Sequence, residues 1–364
     1  MPLTSKLPTP SAGSPLVAGF SPRLLSPLIL LLATTMLSAK PAPITSTTAP
    51  YPSDQKATIE RLDPALDALL ADDAVIENLG SGFNWSEGPI WDPAQDALLF
   101  SDVPENRVYR WKDGEGITVF LEPSGFTGDH FEGREPGSNG LTLDAAGRLV
   151  LCQHGDRRVA RLAADGRQFE TVVDRFEGRR FNSPNDLCYD RAGNLFFTDP
   201  PYGLPPGVEQ EIPFQGVYRL GADGRLTVIT RELHRPNGLA LSVDERTLYV
   251  ASSEGREPWI MAYALNADGS VASSRKFYDG TELIERTGRR GGFDGLKVDE
   301  HGNVWTTGPG GVLILSPEGK HLGSILTGRA TANCAFGGAD HMTFYITADE
   351  ALLRVRTKVK GAAR

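Results

Sequence analysis

The stretch Asn182-Ser-Pro-Asn185-Asp186 sets three short polar side chains against the start of an apolar run, Leu187 to Tyr189. Polar groups in that position either cap a turn or face something that needs their oxygens. The arrangement recurs along the chain. Glu87 opens "EGPIWDPAQDALLFSD", Asn139 opens "NGLTLDAAGRLVLCQH" and Asn185 opens "NDLCYDRAGNLFFTDP". Asn237 opens "NGLALSVDERTLYVAS", Asp294 opens "DGLKVDEHGNVWTTGP", and a weaker copy, "NCAFGGADHMTFYITA", starts at Asn333. Two of the five strong positions are carboxylates, the rest are amides, and none is Lys or Arg. Oxygen donors without thiolates or a histidine cluster suit a hard cation such as Ca²⁺ or Mg²⁺. For any one of these residues, a turn in which the side chain bonds its own backbone is an equally good reading. For all of them in register the cation reading stands ahead, because turn chemistry alone does not require a Glu in the first copy.

The positions can act together only if the fold brings them together. Each copy reads as a polar residue, a short apolar strand, an Asp-containing turn and a second apolar or aromatic strand. Most are followed by a further strand such as "RVYRW", "RVARL", "GVYRL" or "LLRVR". Starts spaced 39 to 57 residues apart suit a blade of four antiparallel strands. Six copies predict an all-β fold, a six-bladed β-propeller, preceded by a short N-terminal helix opened by Asp63-Pro64. The ring closes if the strand at residues 74 to 80 completes the last blade. With the innermost strand first in each blade, the opening residues meet at one end of the central channel. The second strands run back toward that end and finish at Asp102, His154, Asp199, Ser252, Thr307 and Pro309. His154 is the one imidazole in this set, placed to assist proton transfer or bind substrate, although a lone His is more often structural. Tyr202 in "DPPYG" is placed to wall a pocket or simply to pack. Arg157, Arg158, Arg179 and Arg180 could include an anion contact, but most such side chains are solvated. The long loop "PSGFTGDHFEGREPGS" exceeds ordinary turn length and reads as a lid.

The totals fit this picture. Of 364 residues, 40% are hydrophobic and 23% charged, which is ordinary for a soluble globular protein, and 40 Gly with 26 Pro imply many tight turns. A net charge of −9 argues against nucleic acid as a partner. The uncharged run "LLSPLILLLATTMLSA" follows Lys6 and Arg23 and ends in small residues, so residues 1–39 read as a signal peptide. An uncleaved anchor is the alternative. Residues 40–56 read as a flexible linker and 57–364 as one propeller domain. The expected location is periplasmic or secreted, with no stable membrane association after cleavage; a homodimer is left open. Cys152, Cys188 and Cys334 are too few for a disulfide framework or a thiolate metal site and read as small core residues, with a Cys152–Cys188 bridge left open.

Taken in order, "SEGPIWD", "NSPNDL", "TDPPYG", "PNGLALS", "FDGLKVDEHGNVW" and "NCAFGG" resemble the gluconolactonase/regucalcin (senescence marker protein) family of six-bladed lactonases. The likeness runs from about Glu87 to Tyr345 and is nearer the bacterial gluconolactonase branch, since Ser183 stands where regucalcin-like members carry an Arg. The resemblance implies a metal-dependent hydrolase that opens a small-molecule sugar lactone to its aldonic acid. It implies one divalent cation, Ca²⁺ first with Mg²⁺, Mn²⁺ or Zn²⁺ as alternatives, held by Glu87, Asn237 and Asp294, with Asn185 beside the metal or bound to it. Asp294 is the first choice for activating water and His154 the second. Asn139, Asp199, Tyr202 and His154 are the candidates for touching substrate. No Gly-x-Ser-x-Gly elbow supports a serine esterase. The alternatives are an organophosphate or aryl-ester hydrolase of the diisopropylfluorophosphatase or paraoxonase type, and a non-catalytic binding propeller with a structural cation.

Overall fold

A computed structural model describes residues 57–362. The expected signal peptide (1–39) and linker (40–56) lie outside them. The described chain forms six blades around an axis, each built from consecutive antiparallel strands with the innermost first. Blade one is Ser86–Asp92, Ala97–Asp102, Arg107–Lys112 and Gly116–Leu121; blade two begins at Ser138–Leu143, blade three at Leu187–Tyr189 and blade four at Pro236–Leu241. Blades five and six begin at Leu296–Val298 and Asn333–Gly337. Side chains alternate across each strand, so both faces of every blade meet a neighbour. Six apolar clusters result, one at each blade–blade interface. The interface of blades six and one, for example, stacks Trp91 on Tyr345 at 5.8 Å beside Trp111.

Closure follows the sequence expectation. Ile76–Ser81 pairs antiparallel with Ala351–Arg356 and supplies the outer strand of blade six. A second use of the N-terminal segment was not foreseen. Thr58–Arg61 adds a fifth strand to the outer edge of blade five, with Ile59 opposite Ile325. Glu60 on that strand forms a bidentate ion pair with Arg289, both contacts at 2.8 Å. The element opened by Asp63-Pro64 is a 3₁₀ helix, Pro64–Ala68, capped by Asp63 Oδ1 accepting from the Ala65 N–H at 2.9 Å. Its Leu66 is fully buried between blades five and six. The α-helix of the described chain lies elsewhere, at Thr281–Thr287, and ends on Gly288 in the left-handed conformation. No disulfide joins the three cysteines. Among the described residues no helix is long and apolar enough to cross a membrane.

Around the axis the innermost strands touch through glycine. A Cβ on Gly238 would lie 2.1 Å from the Asp294 carbonyl oxygen, and one on Gly88 would lie 2.0 Å from that of Asn139. Gly140 donates its N–H to the Asn185 carbonyl at 2.7 Å, and Gly238 donates to the Asp294 carbonyl at 3.1 Å. The Asn-Gly and Asp-Gly pairs are therefore contact points between blades. Gly238→Ala is expected to cost about 3 kcal/mol, because the obstructing atom is backbone and cannot turn aside; an unchanged urea midpoint would show that the strands are free to separate.

Candidate functional site

The opening residues of the blades converge as the repeat register requires. A cavity of about 210 Å³ at one end of the axis is lined by Glu87, Asn139, Asn185, Asn237 and Asp294. Trp85, Glu135, Tyr202, Ser253 and Thr331 complete much of its wall.

The two readings of the polar residues make different demands on their oxygens. In a self-capping turn the side-chain oxygen accepts a nearby N–H, as Asp144 Oδ1 does from Ala146 and Arg148 at 2.9 and 3.0 Å. Four of the five ring residues do otherwise, Glu87 being the exception. The Oδ1 atoms of Asn139, Asn185, Asn237 and Asp294 are buried without any hydrogen-bond partner in the protein. An orphaned buried oxygen costs about 1–3 kcal/mol, and four around one cavity is a large deficit to leave uncompensated.

Two of the amides are held so that their oxygens point away from the anchoring groups. Asn237 Nδ2 donates to Ser253 Oγ at 3.0 Å, and Ser253 Oγ in turn donates to the Phe293 carbonyl at 2.6 Å. Asn185 Nδ2 lies 3.4 Å from His154 Nε2, while His154 Nδ1 lies 3.1 Å from Glu135 Oε2. The Asn185 nitrogen thus faces the imidazole, and its oxygen is left to the cavity. These anchors fix the amides as outer groups fix metal-bound side chains.

Glu87 uses Oε2 to accept the Gly88 N–H at 2.9 Å. Burial, with Asp186 nearby, pushes its carboxyl up to about 7 against that hydrogen bond. Burial and the charges of Glu87, Asp186 and Glu135 hold Asp294 well above the usual carboxylate range. Lys297 Nζ offers positive charge deeper in the channel, 3.5 Å from Asn333 Oδ1. Carboxylates crowded in low dielectric and amide oxygens without donors fit a hard cation, whose charge would reverse both carboxyl shifts. Among the described residues no three His, Cys, Asp or Glu side chains gather, so amide oxygens must supply part of any coordination shell.

The rim residues behave differently from expectation. His154 is fully buried behind Asn185 and does not line the cavity. Asp199 is also fully buried, and its carboxylate accepts the Asn182 and Ser183 N–H groups at 2.8 and 2.9 Å. Asp102 holds Asn84 and Trp85 in the same way in blade one, at 3.0 and 3.1 Å. Both carboxylates fasten the entry to their blade's innermost strand, so Asp199 faces backbone and not the cavity. Arg157, Arg158 and Arg180 are engaged by Phe181, Gln153 and Asp156 respectively. Tyr202 does line the cavity, where burial and Asp294 push its phenol up to about 12 and keep it protonated.

Sequence reasoning missed Trp85, Glu135, Ser253 and Thr331. Trp85 and Thr331 each stand two residues before their blade's opening polar residue, and Ser253 directly follows a strand end already singled out, so a search one or two residues wider would have found them. Glu135 carries no such register signal, because it comes from the long loop.

A propeller closed by its N-terminal strand, with an oxygen-lined cavity at one end of its axis, defines the class of ring-shaped hydrolases and binding proteins that work at the channel mouth. Residues 85–350 match the model of the SMP-30/Gluconolactonase/LRE-like region, and the chain belongs to that family. It is 40% identical to a gluconolactonase of Zymomonas mobilis over 83% of this chain and 87% of that protein. A pentonolactonase of Haloferax volcanii is 27% identical over 72% of this chain and 80% of its own. Among solved structures, a gluconolactonase of Xanthomonas campestris superposes with a TM-score of 0.75 at 34% identity, covering 87% of this chain and 99% of that one.

Asp199→Ala is expected to cost about 2–3 kcal/mol in stability by stripping two buried N–H groups of their acceptor. Loss of substrate affinity in a variant of wild-type thermal stability would return Asp199 to the site. For the ring, Ca²⁺ affinity is expected to fall as pH drops from 8 to 6, since Glu87 in the cation-free protein takes up a proton near 7 and the protonated acid is a poor ligand. Calorimetry in buffers of different ionisation enthalpy reads the proton released on binding; pH-independent affinity with no proton release would remove Glu87 from the shell.

Proposed function

We propose that the protein hydrolyses sugar lactones of the glucono-1,5-lactone type, and that the reaction depends on a divalent cation held by Glu87, Asn185, Asn237 and Asp294. The observation that carries the proposal is the set of buried, unpartnered oxygens facing one cavity, in a chain whose relatives are a gluconolactonase and a pentonolactonase. Ca²⁺ is favoured, because neutral amide oxygens and carboxylates suit a hard ion of flexible geometry, with Mg²⁺ and Mn²⁺ next and Zn²⁺ less well matched. When bound, the cation supplies Lewis-acid polarisation of the lactone carbonyl and charge to offset the developing oxyanion.

The remaining chemistry falls to the chain's own residues. Asp294 is a carboxylate with an unpartnered oxygen in the cavity. It accepts the proton of the attacking water as the new C–O bond forms. Collapse of the tetrahedral adduct breaks the ring C–O bond, and the leaving ring oxygen takes that proton, which restores Asp294 and yields the open-chain acid. Tyr202 stays a phenol through the operating range and is a hydrogen-bond donor in the wall. His154 serves the site from behind as the group facing the Asn185 amide, and Asp294, which lines the cavity, is preferred to it as the water-activating base.

Asp294→Asn preserves an oxygen of similar shape while removing the proton acceptor. Turnover of glucono-1,5-lactone at saturating Ca²⁺ is expected to fall by about 10²–10⁴, and chelation of the wild-type protein to abolish activity until a cation is restored. Metal content is measured alongside. Full turnover in metal-replete Asp294→Asn would reject it as the base, and full turnover after complete chelation would reject the cation's role.

A further inference from the structure

The cavity wall contains one carboxylate outside the ring and outside the repeat register. Glu135 lies on the loop between blades one and two, lines the cavity, and keeps 31% of its side chain exposed. That loop is tied down near its start and at its end. Asn106 Oδ1 accepts the Ser124 and Gly125 N–H groups at 3.1 and 2.7 Å, Gln153 Nε2 donates to the Ser124 carbonyl at 2.9 Å, and the Gly137 N–H donates to the Val103 carbonyl at 2.9 Å. Glu135 sits two residues from that last anchor. One carboxylate oxygen, Oε2, is fixed 3.1 Å from the buried His154 ring.

A positioned carboxylate in the wall of a small polar cavity can do one of three things. It can ligate a cation, hold a neighbouring group, or accept hydrogen bonds from a ligand's hydroxyls. The cation is already assigned to Glu87, Asn185, Asn237 and Asp294, the last three with unpartnered oxygens facing the cavity. The partly exposed side chain and cavity-lining position exceed what holding His154 requires. A carboxylate offers about four lone-pair directions, and the 3.1 Å approach to His154 Nδ1 lacks hydrogen-bond geometry, so both oxygens keep acceptor capacity. The rest of the wall supplies neutral partners, with Asn139, Tyr202, Ser253 and Thr331 facing the same space.

We propose that Glu135 is the specificity-determining acceptor for a hydroxyl of the substrate ring, so that the site favours polyhydroxylated lactones over unsubstituted ones. This rests on the reading of the protein as a lactone hydrolase and names the part of the substrate that the cavity recognises. The loop anchors, with Oε2 lying 3.1 Å from His154, hold the carboxylate at the wall, so less side-chain freedom is lost on binding.

The test compares glucono-1,5-lactone with δ-valerolactone, which has the same ester ring and no hydroxyls, in the wild-type protein and in Glu135→Gln at saturating Ca²⁺. A hydrogen bond to a charged acceptor is worth a fold-change of about 10–100. The variant is therefore expected to lose that much more kcat/KM on gluconolactone than on δ-valerolactone, mostly in KM; any loss common to both lactones reads the approach of Glu135 to His154 and the charge it places near Asp294. The melting temperature is expected to hold, and Ca²⁺ affinity is read directly by calorimetry so that both lactones are compared at full metal occupancy. Equal losses on both lactones at that occupancy would overturn the assignment of Glu135 while leaving lactone hydrolysis in place. A wild-type protein inactive on both lactones would overturn the hydrolase reading, and this inference with it.

Discussion

Six strands can meet around a narrow axis only if their backbones approach more closely than side chains allow. In this protein the approach is made at the residue after each opening polar group. Where that residue is Gly88, Gly140, Gly238 or Gly295, an added Cβ would meet the neighbouring blade at 2.0–2.7 Å. The consequence reaches past packing. Because Gly140 and Gly238 donate their N–H groups to the carbonyls of Asn185 and Asp294, blades two and four set the backbone height of the opening residues of blades three and five. The interdigitated apolar clusters farther out hold the blades upright, but they could not by themselves bring Asn237 and Asp294 to a common cavity.

Backbone placement leaves the rotation of each amide undecided, and a cavity lined by freely turning amides would present donors as often as acceptors. The protein resolves this from outside the ring. Ser253 accepts from Asn237, and Ser253 itself is committed to the Phe293 carbonyl. His154, oriented by Glu135, faces the Asn185 amide nitrogen. The amide oxygens then have nowhere to be satisfied except within the cavity. That pattern explains why the buried polar residues fall into two groups. Asp102 and Asp199 have their oxygens filled by backbone N–H groups and serve the fold; Asn185, Asn237 and Asp294 retain an empty oxygen and serve the site.

The same distinction marks what was legible in the sequence. Blade number, the N-terminal closing strand and the converging positions Glu87, Asn139, Asn185, Asn237 and Asp294 follow from one register repeated along the chain. Register reports where a residue sits and not what its oxygens touch. Asp199 and His154 therefore looked like rim residues, because strand ends point toward the cavity on average; the decisive fact, that two successive N–H groups turn back onto Asp199, is a local contact with no periodicity. The helix Thr281–Thr287 escaped because seven residues are too few for helical spacing to declare itself. The edge strand Thr58–Arg61 is only four residues long and pairs with a blade far off in sequence. Glu135 belongs to a loop, where only the folded anchor points reveal that it is held.

Two blades break the rule of a glycine after the opening residue, and they are opposite one another in the ring. Blade three carries Asp186 and blade six carries Cys334, each following an Asn. Freed from the glycine contact, the Asn333 side chain reaches across the axis and donates Nδ2 to Asp186 Oδ2 at 3.3 Å. Asp186 is otherwise occupied by the Leu187 N–H at 2.8 Å, and Asn333 Oδ1 by the Cys334 N–H at 2.8 Å. This hydrogen bond ties opposite blades across the axis, with Lys297 Nζ 3.5 Å from Asn333 Oδ1. The pair is polar and internally satisfied, so it does not compete for a cation with the unpartnered oxygens. The Asp186 charge still acts on Glu87 and Asp294 through space. Breaking the ring's symmetry at two opposite positions thus adds a tie across the axis and a further negative charge beside the unpartnered oxygens.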